Sequence, residues 1–109
     1  MDVLLSLDYD LVSDSFIVKE AQELARVFNR QFDVWESSVS HYHIRVPAVL
    51  DSQLAFHILA YSRCSEDYKI FCRKVCCFPI RTEPKEVYRN GTHTSTAPKP
   101  KKVYSAMPK

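Results

Sequence analysis

The chain lacks long hydrophobic runs, a strong excess of one charge, and cysteines outside a single short segment. Its apolar runs are far too short to span a bilayer and no basic and apolar leader precedes them, so we expect a cytoplasmic protein with no membrane partner. The net charge is only +2, with 15 basic and 13 acidic residues. The overall electrostatic field therefore does not by itself require a nucleic-acid partner.

All four cysteines lie in one segment of the chain: Cys64, Cys72, Cys76 and Cys77. Secreted disulfide proteins distribute their cysteines along the whole chain, and this sequence does not. The spacing also differs from the paired knuckles of a structural zinc site. We therefore expect reduced, buried or half-buried thiols, with metal binding as the second interpretation.

The composition and the hydrophobic pattern predict one globular α+β domain. Hydrophobic residues make up 46% of the chain and aromatic residues 12%, as in a globular protein. The spacing predicts, in order, a strand over 2–11, a helix to about residue 31, strands over 32–37 and 41–46, a helix from residue 52, a short helical segment over 66–74 and a strand over 75–82. Pro47 is expected to end the third predicted strand, that over 41–46, because proline lacks the backbone N–H that a sheet hydrogen bond needs.

This order predicts a ferredoxin-like (RRM-like) sandwich, a four-stranded antiparallel sheet with two helices on one face. The domain is expected to span residues 1–90, with a short edge extension near 86–89. Residues 91–109 are rich in Thr, Ser, Ala, Pro and Lys, so we expect a flexible basic tail there. In this topology the first and third strands are the central, neighbouring pair. No feature of the sequence predicts an oligomeric state.

Two carboxylates, Asp8 and Asp10, stand two residues apart at the end of the first apolar run. Side chains at i and i+2 of a strand point to the same face, so these two charges would repel each other unless a cation lies between them. Mg²⁺ or Mn²⁺ is the cation that carboxylate oxygens favour. The third strand alternates in the same way and places His43 and Arg45 on one face.

Neighbouring first and third strands would bring these four side chains together on the sheet face that the helices leave open. Carboxylates that hold a metal, beside an imidazole and a guanidinium, suit phosphoryl chemistry. The sequence therefore predicts Asp8, Asp10 and His43 as catalytic residues, with Asp8 and Asp10 as metal ligands. Three basic residues are expected to bind nucleotide or nucleic-acid phosphate: Arg45, Arg81 and Lys85.

Two segments resemble motifs of archaeo-eukaryotic primase and primase-polymerase domains. Leu5–Asp10 is an apolar run that ends in Asp-apolar-Asp, and in Glu36–Val46 a serine turn precedes a strand that bears a histidine. The resemblance covers residues 3–47, with a weaker similarity over 80–85. It implies the same sandwich fold, Asp8 and Asp10 as metal ligands, and His43 as the nucleotide-phosphate contact.

The chain differs from that family in having Val39 and His41 where glycines are usual, and in offering no third acidic strand residue. The resemblance therefore implies a minimal or degenerate relative, encoded by a virus or plasmid. Such a protein would bind nucleic acid or nucleotide during replication and would support metal-dependent nucleotidyl transfer.

Two other functions stay open. His41-Tyr42-His43 fits the histidine–bulky apolar–histidine motif of rolling-circle initiators and relaxases, endonucleases that use a metal and a tyrosine on a following helix, here Tyr61 or Tyr68. The other function is a non-catalytic interaction or inhibitor role. A plain nucleic-acid platform is less favoured because Trp35 would be its only aromatic residue and two aspartates would repel phosphates in the absence of a metal.

Overall fold

The structure, a computed structural model, describes residues 1–80, 85–89, 91–97 and 99–108, and of 85–89 and 93–97 it describes the backbone alone. The described elements follow this order: β1 (Asp2–Asp10), α1 (Asp14–Phe28), β2 (Phe32–Ser38), β3 (His41–Asp51), α2 (Ser52–Tyr61), α3 (Glu66–Val75), β4 (Lys85–Arg89), β5 (Thr92–Ala97) and β6 (Lys101–Ala106). No helix in these ranges is both long and apolar enough to cross a membrane.

The α+β class with a four-stranded antiparallel sheet is confirmed, and the architecture is compatible with a ferredoxin-like sandwich. The strand order is β1-β3-β2-β6, and every neighbouring pair is antiparallel. β1 is indeed the neighbour of β3, as predicted. It lies at the edge of the sheet, however, so the prediction that the first and third strands form the central pair is wrong. β2 and β3 are central, while β4 and β5 form a separate two-stranded sheet.

One face of the four-stranded sheet carries the hydrophobic core. Alternate residues of β1 and β3 point to this face because side chains alternate along a strand, and Leu5, Leu7 and Ile44 are fully buried there. Helices α1 and α2 contribute the other half of the core through a stripe of small and branched side chains: Ile17, Ala21, Leu24, Ala25, Ala55, Ile58 and Leu59. We call the opposite face of the sheet the open face because it lies away from the core of α1 and α2, although Ser6 and Asp33 on it are buried. It also bears Asp8, Asp10, His41, His43, Arg45 and Trp35.

The predicted strand over 75–82 is wrong in its described part. Glu66–Val75 is a helix, residues 76–80 belong to no helix or strand, and 81–84 lie outside the described residues. The helix begins at Ser65, whose hydroxyl caps the backbone N–H of Tyr68, and it ends at Cys76, which adopts a left-handed φ of 60°. Acidic residues in the first turn and basic residues in the last turn complement the helix dipole and stabilise this helix, which the sequence predicted over 66–74.

The predicted flexible tail is wrong for Lys101–Ala106, which forms the outer strand β6 beside β2. Phe32 lies opposite Ala106 and Val34 lies opposite Tyr104. Ala106 is 2% exposed, and the hydroxyl of Tyr104 accepts a hydrogen bond of 3.0 Å from Gln22 on α1. The segment is therefore part of the folded sheet, because its apolar atoms cover an edge that β2 would otherwise expose.

The third strand also continues past Pro47, contrary to expectation. β3 runs to Asp51, and the register shifts between Leu4 and Ser6 of the neighbouring strand, opposite the stretch that contains the proline. A proline is tolerated where a ladder is irregular, because no hydrogen bond is demanded of its nitrogen. The longer pairing aligns the two strands over almost all of β1.

Candidate functional site

Two carboxylate–imidazole pairs lie side by side on the open face. In the antiparallel register, Asp8 of β1 is directly opposite His43 of β3, and Asp10 is directly opposite His41. Asp8 Oδ1 lies 3.2 Å from His43 Nδ1, and Asp10 Oδ1 lies 2.7 Å from His41 Nδ1. The predicted meeting of aspartates and histidines on one face is therefore present, in the form of two parallel cross-strand pairs.

The local sequence fixes this arrangement through alternation and a tight turn. The residues between the paired side chains, Tyr9 and Tyr42, are buried on the core face, so a slip of one residue would bury the charges and expose the core. Ser40 has a left-handed φ of 64° in the connection between β2 and β3, and its carbonyl accepts a hydrogen bond from the N–H of Val12. This contact holds the end of β1 and the start of β3 together beside the pair formed by Asp10 and His41.

The two imidazoles approach their carboxylates with the same ring nitrogen. In both pairs Nδ1 is the nitrogen next to the carboxylate, so Nε2 lies on the far side of the ring from it. A carboxylate in this position fixes the orientation of the ring. The pair formed by Asp8 and His43 is better shielded from water than the other pair, since the side chain of His43 is 14% exposed and that of His41 is 38% exposed.

Arg45 extends the same face beyond the pairs, as predicted. It lies on β3 opposite Ser6 of β1 and Asp33 of β2, and its guanidinium carbon lies 4.9 Å from the ring centroid of Trp35. Asp33 is 3% exposed and accepts hydrogen bonds of 2.8 Å from both Gln31 and Ser105. The guanidinium of Arg45 thus lies over an aromatic ring, on the same face as the imidazole of His43.

Helix α3 lies against the outer edge of β1, a placement that the sequence did not reveal. The hydroxyl of Tyr68 donates a hydrogen bond of 2.5 Å to the backbone oxygen of Ser6, and Cys72 is fully buried beside it. Burial is the main cause that raises the pKa of Tyr68, and the neighbouring Cys72 and Asp8 add to it. The phenol therefore stays protonated and serves to attach α3 to the strand.

The two remaining predicted phosphate contacts are not brought to this face by any described feature. Arg81 lies outside the described residues. Lys85 begins β4, which belongs to the two-stranded sheet and not to the four-stranded one. Their proposed roles stay predictions. Sequence reasoning also missed Lys102, which the register places opposite Trp35 although it lies in the expected tail.

Among the residues that the structure describes, no group of three or more His, Cys, Asp or Glu side chains is arranged to hold a metal ion. A cation held by Asp8 and Asp10 would therefore need ligands beyond these described carboxylates. No protein-family model, no curated protein and no solved structure matches the chain.

Proposed function

We propose that the open face binds the phosphates of a nucleotide or nucleic acid together with a divalent cation. The observation that carries this proposal is the pair of cross-strand contacts, Asp8 with His43 and Asp10 with His41, on one sheet face. Two carboxylates and two oriented imidazoles form a compact set of metal and proton partners, and Arg45 adds a fixed positive charge beside them.

The donor set fits Mg²⁺ or Mn²⁺ better than a closed structural metal. These ions commonly take one or two protein carboxylates and complete their coordination with water and substrate phosphate. Asp8 and Asp10 would supply the carboxylate oxygens, while a bound phosphate would supply the rest. This accounts for a protein that offers no complete metal cage in its described part.

The reaction class that such a site would support is nucleotidyl transfer, the activity that the primase-polymerase resemblance implies. A bound cation would neutralise charge on the phosphates. Arg45 would bind and orient a phosphate through its guanidinium, and His43 would hold or accept a proton at Nε2, since its Nδ1 faces Asp8. The chain would then act in replication, as a small relative of those enzymes.

The histidine-pair endonuclease is supported less well. The two neighbouring histidines favour it, since imidazole nitrogens on the side away from the aspartates are of the kind that binds a metal ion. Its nucleophilic tyrosine is the difficulty. Tyr68 has a raised pKa and donates to Ser6, and the hydroxyl of Tyr61 donates to Glu23 on α1, on the other side of the sheet.

Calorimetry with Mn²⁺ tests the proposed function. We expect weak binding by the protein alone and binding at least tenfold tighter when a nucleoside triphosphate is present, because the phosphates complete the coordination shell. The double variant Asp8→Asn/Asp10→Asn keeps the shape of both side chains and should abolish this binding.

Asp2→Asn is the matched control, since Asp2 is an exposed carboxylate on the same strand, far from the histidines. It should bind Mn²⁺ as the unmodified protein does. The proposal fails if the unmodified protein binds no divalent cation even with triphosphate, or if the double variant binds as well as the control.

A further inference from the structure

A cavity of about 470 Å³ lies between α1 and the end of α2, on the helix side of the sheet. Five residues form its wall: Lys19, Glu20, Glu23, Tyr61 and Arg63. Its volume is within the range of cavities that hold a small organic molecule, roughly 300–1,000 Å³. Because none of these residues belongs to the four-stranded sheet, the cavity is separate from the open face.

The side chain of Arg63 is held along one edge while its outer end stays accessible. Its Nε donates a hydrogen bond of 3.1 Å to Glu20 Oε1, and its guanidinium carbon lies 5.1 Å from the ring centroid of Phe16. The Arg63 side chain is nevertheless 62% exposed, and no acceptor among the described residues is hydrogen-bonded to its two terminal Nη atoms. A guanidinium fixed in this way offers planar, paired N–H donors to an oxyanion.

The carboxylates of the cavity are already occupied by hydrogen bonds. Both oxygens of Glu20 accept from Arg63, Oε2 from the backbone N–H at 2.6 Å and Oε1 from Nε. Both oxygens of Glu23 are also used, Oε1 by Arg26 at 2.6 Å and Oε2 by the hydroxyl of Tyr61 at 2.6 Å. The hydrogen bonds from Tyr61 and then Arg26 lower the pKa of Glu23, so this carboxylate stays ionised and keeps these partners.

The cations of the cavity, in contrast, keep unused donors. Lys19 is exposed, and its ammonium makes no hydrogen bond or ion pair with any residue that the structure describes. Arg63 keeps the N–H groups of both Nη atoms. The formal charges of the wall cancel, Lys19 and Arg63 against Glu20 and Glu23, so hydrogen bonding decides the chemistry of the ligand. A cavity with spare donors fits a ligand that supplies acceptors.

Tyr61 gives the cavity a fixed aromatic wall. Its ring meets that of Phe28 edge-on, with 5.5 Å between the centroids, and its hydroxyl is bound to Glu23. The residue is 46% exposed. An aromatic surface beside two cations suits a ligand that joins an anionic group to an apolar body, since the ring would cover apolar atoms of that body.

We propose that this cavity binds a small organic oxyanion, a molecule that carries a phosphate or carboxylate group. The Nη atoms of Arg63 and the ammonium of Lys19 bind the oxyanion, and the ring of Tyr61 packs against the organic part. The site does not depend on the proposed function, because it lies on the other side of the sheet and requires no divalent cation.

Titration in EDTA with phenyl phosphate and with benzoate, followed in ¹H–¹⁵N NMR spectra, tests the site. At least one of the two anions should shift the backbone amide signal of Arg63 with a dissociation constant on the order of 1 mM. The tighter of the two identifies whether the site takes a phosphate or a carboxylate. Benzylamine carries a positive group on a similar ring and should bind more weakly than either anion. The proposal is overturned if neither anion shifts this signal at about 10 mM, or if benzylamine binds as tightly as the anions.

Variants of the two cations locate the contact. Arg63→Lys keeps the charge but loses the planar donors and should weaken binding about tenfold. Arg30→Lys is its control, at an exposed arginine outside the cavity. Lys19→Gln should weaken binding about threefold and should leave the fold intact, because Lys19 has no described hydrogen bond or ion pair to lose. Lys74→Gln removes an equal charge from an exposed position on α3 and should not change the affinity. A cavity variant that binds as well as its control would overturn the proposal.

The open-face variant Asp8→Asn/Asp10→Asn separates this site from the proposed function. It should bind phenyl phosphate in EDTA as the unmodified protein does, although we expect it to bind no Mn²⁺. Loss of phenyl phosphate binding in this variant would place the anion on the open face and overturn the cavity site. An unmodified protein that binds phenyl phosphate through Arg63 but binds no Mn²⁺ with triphosphate would support the cavity site and refute the proposed function.

Discussion

At the residue scale, one buried carboxylate connects three separate parts of the chain. Glu20 of α1 is 2% exposed, and it accepts hydrogen bonds from the hydroxyl of Tyr9 on β1 at 2.7 Å and from the backbone N–H of Arg63 at 2.6 Å. The side chain of Arg63 adds a contact of 3.1 Å. A buried charge is tolerated when it is fully hydrogen-bonded, and this one fixes α1 against β1 and the segment after α2.

Glu20→Gln should therefore lower the free energy of unfolding by about 1–3 kcal/mol, because one amide group would face a donor where the carboxylate offers an acceptor. Urea denaturation followed by circular dichroism measures the change. Glu23→Gln is the matched control: it lies on the same helix near the surface, bonded to Tyr61 and Arg26. Equal destabilisation by the two variants would contradict the role assigned to Glu20.

The residue positions of the candidate site were largely predictable from the sequence. The two-residue alternation correctly placed Asp8, Asp10, His43 and Arg45 on one face, because side-chain direction in a strand depends only on parity. The position of Lys102 opposite Trp35 was not predictable, since it depends on which distant segment pairs with β2. That information lies in the register with β6 and in no local pattern.

At the element scale, the sequence predicted β1, α1, β2 and α2 because their hydrophobic spacing and capping residues agree with one another. It also predicted α3 but failed directly after it, where Phe78 and Ile80 continue an apolar alternation past the helix end at Cys76 and no strand follows in residues 76–80. It failed again at β6, where lysines and prolines around a short apolar stretch are typical of a tail. Lysines on an exposed edge strand serve instead to discourage pairing with other chains.

A truncation tests whether β6 belongs to the folded domain. A chain that ends at Pro100 loses β6, exposes the edge of β2 and uncovers Phe32 and Val34, which are now 0% and 1% exposed. Loss of this burial and of the ladder should cost on the order of 3 kcal/mol in the free energy of unfolding. A chain that ends at Met107 retains β6 and should unfold as the full chain does. Thermal unfolding of the two truncations measures the difference, and similar melting temperatures would show that β6 is dispensable.

At the scale of the whole molecule, three tyrosines lie where separate elements meet, and each has a raised pKa. Burial raises the pKa of Tyr9 well above its ordinary value, with the charge of Glu20 next, between β1 and α1. The hydrogen bond to Asp14 and then burial raise the pKa of Tyr42 to about 12, between β3 and α1. Burial raises the pKa of Tyr68 between α3 and β1. The contacts of α1 and α3 with the sheet thus involve protonated phenols.

This arrangement predicts that the folded protein loses stability in alkaline solution. An unfolded tyrosine ionises near pH 10, while these phenols in the folded state stay protonated to higher pH, so the unfolded state binds fewer protons. Their contribution is fully present below pH 10 and is lost as the pH rises through the folded values, at about 1.4 kcal/mol per pH unit for each phenol that is ionised only when unfolded.

Urea denaturation under reducing conditions at a series of pH values from 8 to 12 measures this loss. Tyr42→Phe should shift the free energy of unfolding by a constant amount below pH 10 and reduce the slope between pH 10 and about 12, the window set by its raised pKa. Tyr88→Phe is the comparison, because the backbone of Tyr88 belongs to β4 of the separate two-stranded sheet. The same slope in Tyr42→Phe and the unmodified protein would mean that Tyr42 ionises alike in both states. In that case its bond to Asp14 would not contribute to the alkaline stability of the fold.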